Sequence, residues 1–161
     1  MGKYLRTLIN VFFRYLDYYI AKVRSLYYGF RIQTGRQLMV WGRIKIIRPE
    51  NVRVGNNLTI NHGVYINATD KVDLGTGVAL SAGAMIITTS LLESGISSKE
   101  HFNAPVTIGD NVQIGAGAIV LPGVSIGNNV IVGSGSIVSK NIKSNSIVAG
   151  VPARLIRKIE V

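Results

Sequence analysis

The sequence contains no cysteine, only two histidines and few charged side chains. Without cysteine, disulfide bonds, thiolate zinc sites, iron–sulfur clusters and a cysteine nucleophile are excluded, and a reducing compartment is favoured. Charged residues make up 16% of the 161 residues, which argues against a charged helical bundle or a disordered tail. The length suits one domain with a real core. Any chemistry that needs an imidazole must use His62 or His101.

Acidic side chains are also scarce, and the net charge of +10 is unevenly distributed. Residues 1–36 contain seven Lys and Arg against one acid, Asp17, and a second basic cluster lies near the C-terminus. The middle of the chain, residues 49–139, is mildly acidic, with three cations and six acids. A basic protein raises the question of nucleic-acid binding, but no nucleic-acid-binding motif accompanies the charge. We therefore expect no nucleic-acid partner.

Residues 1–30 have the pattern of an amphipathic helix, because aliphatic and aromatic residues recur at steps of three and four. Charged residues interrupt every apolar run, so this helix is not expected to span a membrane. It also lacks the small-residue cleavage pattern of a secretory signal. Two interpretations stay open: the helix lies in the membrane interface, or it packs on the body or on a partner subunit. We assign residues 1–36 to this basic N-terminal helix region.

Residues 37–161 carry a repeat in which aliphatic residues stand six positions apart. In the second half the series is Ile108, Ile114, Val120, Ile126, Val132 and Val138. In the first half it runs from Val40 to Ile86, with two steps of eight residues, around 49–51 and 68–70. These long steps lie 20 residues apart, about one coil of a repeating structure. They therefore predict a larger corner at the same edge of successive coils. Six-residue repeats are typical of a parallel β-helix, and we expect four to five coils.

Two segments of this repeat resemble the hexapeptide-repeat acyltransferases. They are residues 108–127, IGDNVQIGAGAIVLPGVSIG, and residues 147–157, IVAGVPARLIR. The resemblance covers residues 40–161 and looks most like the maltose, nodulation-factor and polysaccharide O-acetyltransferases. It implies a left-handed parallel β-helix, so the expected fold class is all-β, with the N-terminal amphipathic helix before the β-helix and a short C-terminal cap after it. It further implies a homotrimer with active sites between neighbouring subunits, acetyl-CoA as donor and a sugar or glycan as acceptor.

The regular repeat stops at Ile86 and resumes at Val106, and we treat residues 88–104 as an excursion loop. Extra residues between coils must loop outward, and loops held on a rigid scaffold are where functional residues concentrate. Matching the preceding coil onto the sugar acetyltransferases that it resembles puts Leu91 at the usual place of the family histidine. Leucine cannot act as a base, so the sequence departs from the family pattern at this position.

His101, in the excursion loop, is the first candidate for the general base, since the pKa of an imidazole lies near operating pH. His62, at a coil corner, is the second candidate. Glu93, Glu100 and Asp70 are each candidates to orient an imidazole, and the sequence does not choose among them.

The remaining site residues follow from the resemblance. Asn61 matches the family asparagine that lines the acceptor site, and Tyr65 is assigned to the same side. The positions that match coenzyme A contacts in the family are Ala116, Ser134, Ser139, Lys140, Arg154 and Arg157. The last three are expected at the phosphate end, because cations bind phosphate groups. No metal is expected, since the zinc-dependent carbonic anhydrases of similar scaffold need three histidines.

The sequence therefore predicts an O-acetyltransferase that moves acetyl from acetyl-CoA to a sugar hydroxyl of a cell-envelope or capsular polysaccharide or its precursor. Attack is expected to be direct, because no motif suggests a covalent intermediate. The expected location is cytoplasmic and peripheral at the inner face of the membrane, with contact through residues 1–30. Two alternatives stay open. One is N-acetylation of an amino sugar, and the other is a non-catalytic trimeric scaffold that binds glycan, which the leucine at position 91 favours.

Overall fold

The computed structural model describes residues 2–93 and 97–160, so residues 94–96 of the excursion loop lie outside the described residues. One long helix, α1 (Gly2–Gly29), precedes a series of short strands, and a 3-10 turn spans Pro49–Asn51. The strands are, in chain order, β1 (Gln33–Thr34), β2 (Met39–Val40), β3 (Lys45–Ile47), β4 (Val52–Val54), β5 (Thr59–Ile60), β6 (Tyr65–Asn67), β7 (Val72–Leu74), β8 (Ala79–Leu80), β9 (Met85–Ile87), β10 (Thr89–Leu91), β11 (His101–Asn103), β12 (Val106–Ile108), β13 (Val112–Ile114), β14 (Ile119–Val120), β15 (Ser125–Ile126), β16 (Val130–Val132), β17 (Ile137–Val138), β18 (Ser146–Gly150) and β19 (Ala153–Lys158).

Most of these strands form three parallel sheets that the chain visits in turn, whereas β10 and β11 form a separate antiparallel hairpin and β19 pairs antiparallel with β18 at the end of the second sheet. The first sheet has the order β1-β4-β7-β12-β15, the second β2-β5-β8-β13-β16-β18, and the third β3-β6-β9-β14-β17. The result is a parallel solenoid of about six turns that matches the left-handed β-helix acetyltransferases, which confirms the predicted fold class. The expected number of four to five coils was too low. The first coil begins at Gln33, seven residues before Val40, where the predicted repeat starts. Ile142 and β18 form part of a sixth coil.

The core consists of stacked aliphatic columns, one per sheet. The column of the second sheet comprises Val40, Ile60, Leu80, Ile114, Val132 and Val148, all buried. Most three-residue strands of the first and second sheets alternate buried, exposed, buried, so each coil directs its apolar side chains inward. A single coil could not bury these side chains, and the stack buries them jointly.

Two edges of the solenoid are held by residues that adopt positive φ. The asparagine edge, between the first and second sheets, carries Asn57, Asn111, Asn129 and Asn145, with φ between 55° and 58°. The side chains of the last three bond to one another along the edge, Asn111 Nδ2 to Asn129 Oδ1 at 3.3 Å and Asn129 Nδ2 to Asn145 Oδ1 at 2.9 Å. The glycine edge, between the second and third sheets, carries Gly63, Gly83, Gly117 and Gly135, with φ between 64° and 74°. Each of these N–H groups donates to a carbonyl of the preceding coil at 2.8–2.9 Å.

The third edge, between the third and first sheets, carries the irregular corners. We call it the hairpin edge, and its corners are residues 48–51, 68–71, 88–105, 121–124 and 139–141. Both eight-residue steps of the repeat fall on this edge, as their separation predicted, and the excursion loop replaces the corner of the next coil.

Helix α1 covers the N-terminal end of the solenoid with its last third. Ser25 Oγ accepts a hydrogen bond from the backbone N–H of Val40 at 2.8 Å, and the Tyr28 hydroxyl donates to the carbonyl of Ile44 at 2.9 Å. These contacts satisfy backbone groups of the first coil that have no preceding coil to pair with. Of the helices that the structure describes, none combines the length and the apolar character needed to cross a membrane.

Candidate active site

The excursion loop forms a β-hairpin in which His101 lies opposite Leu91. Strands β10 and β11 are antiparallel, and Leu91 is the cross-strand partner of His101. The next pair outward is hydrogen-bonded, since Leu92 N donates to Glu100 O at 2.9 Å. Antiparallel pairs alternate, so Leu91 and His101 form a non-hydrogen-bonded pair whose side chains share a face, with Cβ atoms about 4.5–5.5 Å apart. The imidazole therefore stands beside the position that the resemblance gives to the family histidine.

The base of this hairpin is anchored by Thr88, whose side chain is fully buried. Its hydroxyl donates to the carbonyl of Asn67 at 2.8 Å and accepts from the N–H of Asp70 at 3.0 Å. The carboxylate of Asp70 accepts a hydrogen bond from the N–H of Lys71 at 2.7 Å, so it stabilises its own corner. These bonds fix the direction in which the hairpin leaves the solenoid.

His62 lies on a different edge, the glycine edge. The strand register places Gly42, His62, Ala82, Ala116 and Ser134 at the same position in successive coils. A Cβ atom on Gly42 would lie 2.6 Å from the Cβ of His62 and 2.9 Å from its Nδ1, so this glycine leaves room for the imidazole. With strands about 4.8 Å apart, Ala116 lies roughly 10 Å from His62 along the column. One candidate base and two predicted coenzyme A contacts therefore share one column.

A cleft of about 350 Å³ adjoins His62 and is lined in part by Arg43, Lys45 and Tyr65. The Lys45 ammonium lies 6.0 Å from the centre of the Tyr65 ring. Asn61, next to His62, donates its side-chain N–H to the carbonyl of Leu80 at 3.2 Å, which fixes this side chain against the next coil. The three predicted residues Asn61, His62 and Tyr65 thus lie together around one corner, with cations as neighbours.

A larger groove of about 580 Å³ lies at the C-terminal end of the solenoid. Its apolar lining includes Ile142, Val148 and Leu155, and its basic residues are Lys140, Lys143, Arg154 and Lys158. Of the predicted coenzyme A contacts, Lys140 and Arg154 line this groove, whereas Ser139 and Arg157 lie outside its lining. The sequence did not single out Lys143 and Lys158 as site residues, although the basic cluster at the C-terminus contained that signal.

The described chain does not gather all predicted residues into one place. His101 and the pair Ser139–Lys140 belong to the hairpin edge, whereas His62, Ala116 and Ser134 belong to the glycine edge. Within residues 2–93 and 97–160, no group of three or more acidic, histidine or cysteine side chains is arranged to hold a metal ion.

Comparison with known proteins identifies the family to which this fold belongs. Residues 105–140 match the family model described as bacterial transferase hexapeptide, six repeats. Among solved structures, a maltose O-acetyltransferase from Clostridium difficile superposes with a TM-score of 0.74 at 33% identity, covering 81% of this chain and 70% of that chain. A galactoside acetyltransferase in complex with coenzyme A gives a TM-score of 0.74 at 30% identity, covering 83% of this chain and 68% of that chain.

A sequence comparison gives the same result. The chain is 38% identical over 115 residues to the galactoside O-acetyltransferase of Escherichia coli, an alignment that covers 68% of this chain. It spans 55% of the length of that relative. The repeat, the solenoid and these relatives together show that the chain belongs to the hexapeptide-repeat transferase family and is an acyltransferase.

Proposed function

We propose that the protein is an O-acetyltransferase that moves acetyl from acetyl-CoA to a sugar hydroxyl of a cell-envelope or capsular polysaccharide or its precursor. The proposal is supported by two sugar O-acetyltransferases among the relatives and by a relative solved with coenzyme A. Because acetyl-CoA is an intracellular metabolite, the proposed reaction takes place in the cytoplasm. The acceptor corner is proposed to be Asn61, His62 and Tyr65.

The observation that carries the proposal is the pairing of His101 with Leu91 in the hairpin. In the proposed reaction, the His101 imidazole accepts the proton of the acceptor hydroxyl. At the same time the hydroxyl oxygen attacks the carbonyl carbon of the thioester. The tetrahedral intermediate collapses, the carbon–sulfur bond breaks, and the coenzyme A sulfur leaves and takes up the proton from the imidazolium. The products are an acetyl ester and coenzyme A, with no covalent enzyme intermediate.

We propose that the active enzyme is a homotrimer with each site in a cleft between subunits. Support comes from the separation of the candidate residues, since His101 is on the hairpin edge and Asn61 and His62 are at the glycine edge. A cleft between the hairpin edge of one subunit and the glycine edge of its neighbour would join the two sets. Such a head-to-tail contact closes into a ring under threefold symmetry.

The reaction is tested by supplying labelled acetyl-CoA together with mono- and disaccharides, amino sugars and purified envelope glycan. We expect mass analysis to find acetylated products whose acetyl group is released by hydroxylamine, as esters are. A product that resists hydroxylamine would identify an amide and favour the N-acetyltransferase alternative. Absence of both product and coenzyme A binding would favour the non-catalytic scaffold.

For the donor groove, we expect the double substitution Lys140→Glu and Arg154→Glu to weaken coenzyme A binding by about tenfold or more, measured by calorimetric titration. Reversing two charges removes the cations proposed to bind the phosphates and adds repulsion. The matched control is Arg14→Glu with Arg36→Glu, which reverses two exposed cations at the other end of the molecule. Equal weakening by both pairs would mean that total charge, not this groove, controls binding.

A further inference from the structure

Helix α1 packs on the solenoid with its small and polar side. Ala21 is fully buried and Ser25 is 8% exposed. The Ser25 hydroxyl also donates to the carbonyl of Ala21 at 2.7 Å, which completes its hydrogen bonding. Together with Tyr28, these residues recur at steps of four and three, so they form one side of the helix. An amphipathic helix of a globular protein normally turns its apolar side inward, and α1 does the opposite.

The opposite side of α1 carries an apolar stripe, which we define as Leu8, Phe12, Tyr19, Val23 and Leu26. At about 100° per residue these five side chains fall within one sector, roughly opposite Ala21 and Ser25. Each of them is between 63% and 69% exposed, even where the helix is docked on the solenoid. This chain therefore leaves the stripe uncovered along the helix. Apolar surface of this extent marks a contact with something else.

The charge of the helix identifies what that contact fits. Within α1, five Lys and Arg stand against one acid, Asp17. The cations Arg6, Arg14, Lys22 and Arg24 lie off the stripe, the arrangement of helices that lie at a membrane surface. A second copy of the chain would bring the same excess of positive charge against the first. Anionic lipid headgroups would compensate that charge, so the charge favours a lipid surface over a second copy.

Aromatic and basic residues beside the stripe support the same reading. The Lys22 ammonium lies 5.4 Å from the centre of the Tyr18 ring, and the Arg31 guanidinium lies 5.6 Å from that of Tyr27. Arg31 also donates to the Tyr27 hydroxyl at 3.1 Å. Tyrosine rings with cations beside them are suited to headgroup depth, where one end of the side chain is apolar and the other is wet.

We propose that the apolar stripe of α1 inserts into the interface of an anionic lipid bilayer and holds the enzyme on that surface. The docked end of the helix lies next to the cleft of about 350 Å³ beside His62. Arg24 Nη1 lies 3.5 Å from the carbonyl of Trp41, and Arg43, two residues further along the chain, lines that cleft. If the proposed transferase function is right, this arrangement brings the cleft to sugars that are carried on a lipid. Binding of the stripe to lipid does not itself depend on that function.

The test is cosedimentation of the full chain with vesicles of phosphatidylcholine and phosphatidylglycerol in equal parts. We expect the protein to sediment with these vesicles, and to do so less at high salt or with phosphatidylcholine alone. The stripe variant carries Leu8→Ser, Phe12→Ser and Tyr19→Ser, three exposed residues that are not among the described side chains packed against the solenoid core. It should lower the partition coefficient by about tenfold or more, because apolar area is lost from the interface.

A matched control carries three apolar-to-serine changes off the stripe, at Val11, Phe13 and Ile20, and should retain most of the binding. Equal loss in both variants, or no sedimentation of the wild type, would overturn the proposal. If the stripe variant instead changes the oligomeric state in sedimentation velocity without lipid, the stripe is a subunit contact. Coenzyme A affinity and acetyl transfer to a water-soluble acceptor, measured on both variants, separate failure of this proposal from failure of the proposed reaction.

Discussion

Replacing His101 with alanine is expected to lower kcat by about two to four decades, the usual contribution of a positioned general base. Without the imidazole, water must take the proton of the acceptor hydroxyl. Coenzyme A affinity should be nearly unchanged, because the groove proposed to bind coenzyme A lies at the C-terminal end of the solenoid. The measurement is steady-state acetyl transfer combined with a calorimetric titration of coenzyme A. Unchanged turnover would reject the role of His101 and direct attention to His62.

Two variants sharpen this test. His62→Ala removes the other imidazole of the chain, and we expect a much smaller effect on kcat from it. Leu91→His in the His101→Ala background returns an imidazole to the cross-strand neighbour, on the same face of the hairpin. Partial recovery of kcat is expected, since the two side chains project from adjacent positions. No recovery, with the fold intact by circular dichroism, would mean that the base must project from β11.

The His101→Ala variant also tests whether each active site is built from two subunits. The experiment mixes equal amounts of His101→Ala and Asn61→Ala chains and lets the proposed trimers reassemble. If one subunit supplies His101 and its neighbour supplies Asn61, about a quarter of the sites should regain activity. If both residues of a site came from one chain, mixing would restore nothing.

A large loss of stability is expected from Gly115→Ala. A Cβ atom at Gly115 would lie 2.6 Å from both the backbone N of Ser134 and the carbonyl oxygen of Val132 in the next coil. Those atoms belong to the rigid backbone of the stack, since Gly115 N itself donates to Val132 O at 2.9 Å. Relief of the overlap must therefore separate two coils. We expect a loss of about 3 kcal/mol in the free energy of unfolding.

Gly117→Ala is the matched control, because it lies at the same corner and also adds one methyl group. A Cβ at Gly117 meets nothing within 4 Å, but its φ is +64°, so only backbone strain of about 1 kcal/mol is expected. Urea unfolding followed by circular dichroism, at equal protein concentration, measures both variants. If Gly117→Ala proved as destabilising as Gly115→Ala, corner strain rather than coil spacing would limit the stability of the solenoid.

The sequence alone was enough to determine the solenoid. Each coil contacts only the coils next to it, so a repeat that is visible along the chain specifies the whole stack. The six-residue spacing of Ile108, Ile114 and Val120 therefore contained the register of the core, and all three are buried. The two eight-residue steps located the hairpin edge for the same reason. The number of coils was underestimated because the first coil, at Gln33, carries no complete repeat.

Only the tertiary structure decided the arrangement of the candidate site. The spacing of Leu91 and His101 along the chain does not fix their pairing, which depends on the register of an antiparallel hairpin. The sequence likewise did not bring Lys143 and Lys158 into the groove with Lys140, because that requires β19 to fold back on β18.

The N-terminal helix shows the same division. Its three- and four-residue periodicity predicted an amphipathic helix, and α1 spans Gly2–Gly29. Which side faces the solenoid depends on the unpaired backbone groups of the first coil, which Ser25 and Tyr28 satisfy with hydroxyl groups. The sequence thus determined the repeat and the helix, because both are set by local periodicity. The position of the His101 imidazole and the outward direction of the apolar stripe depend on tertiary contacts. These contacts join residues that are not linked by any repeat in the sequence.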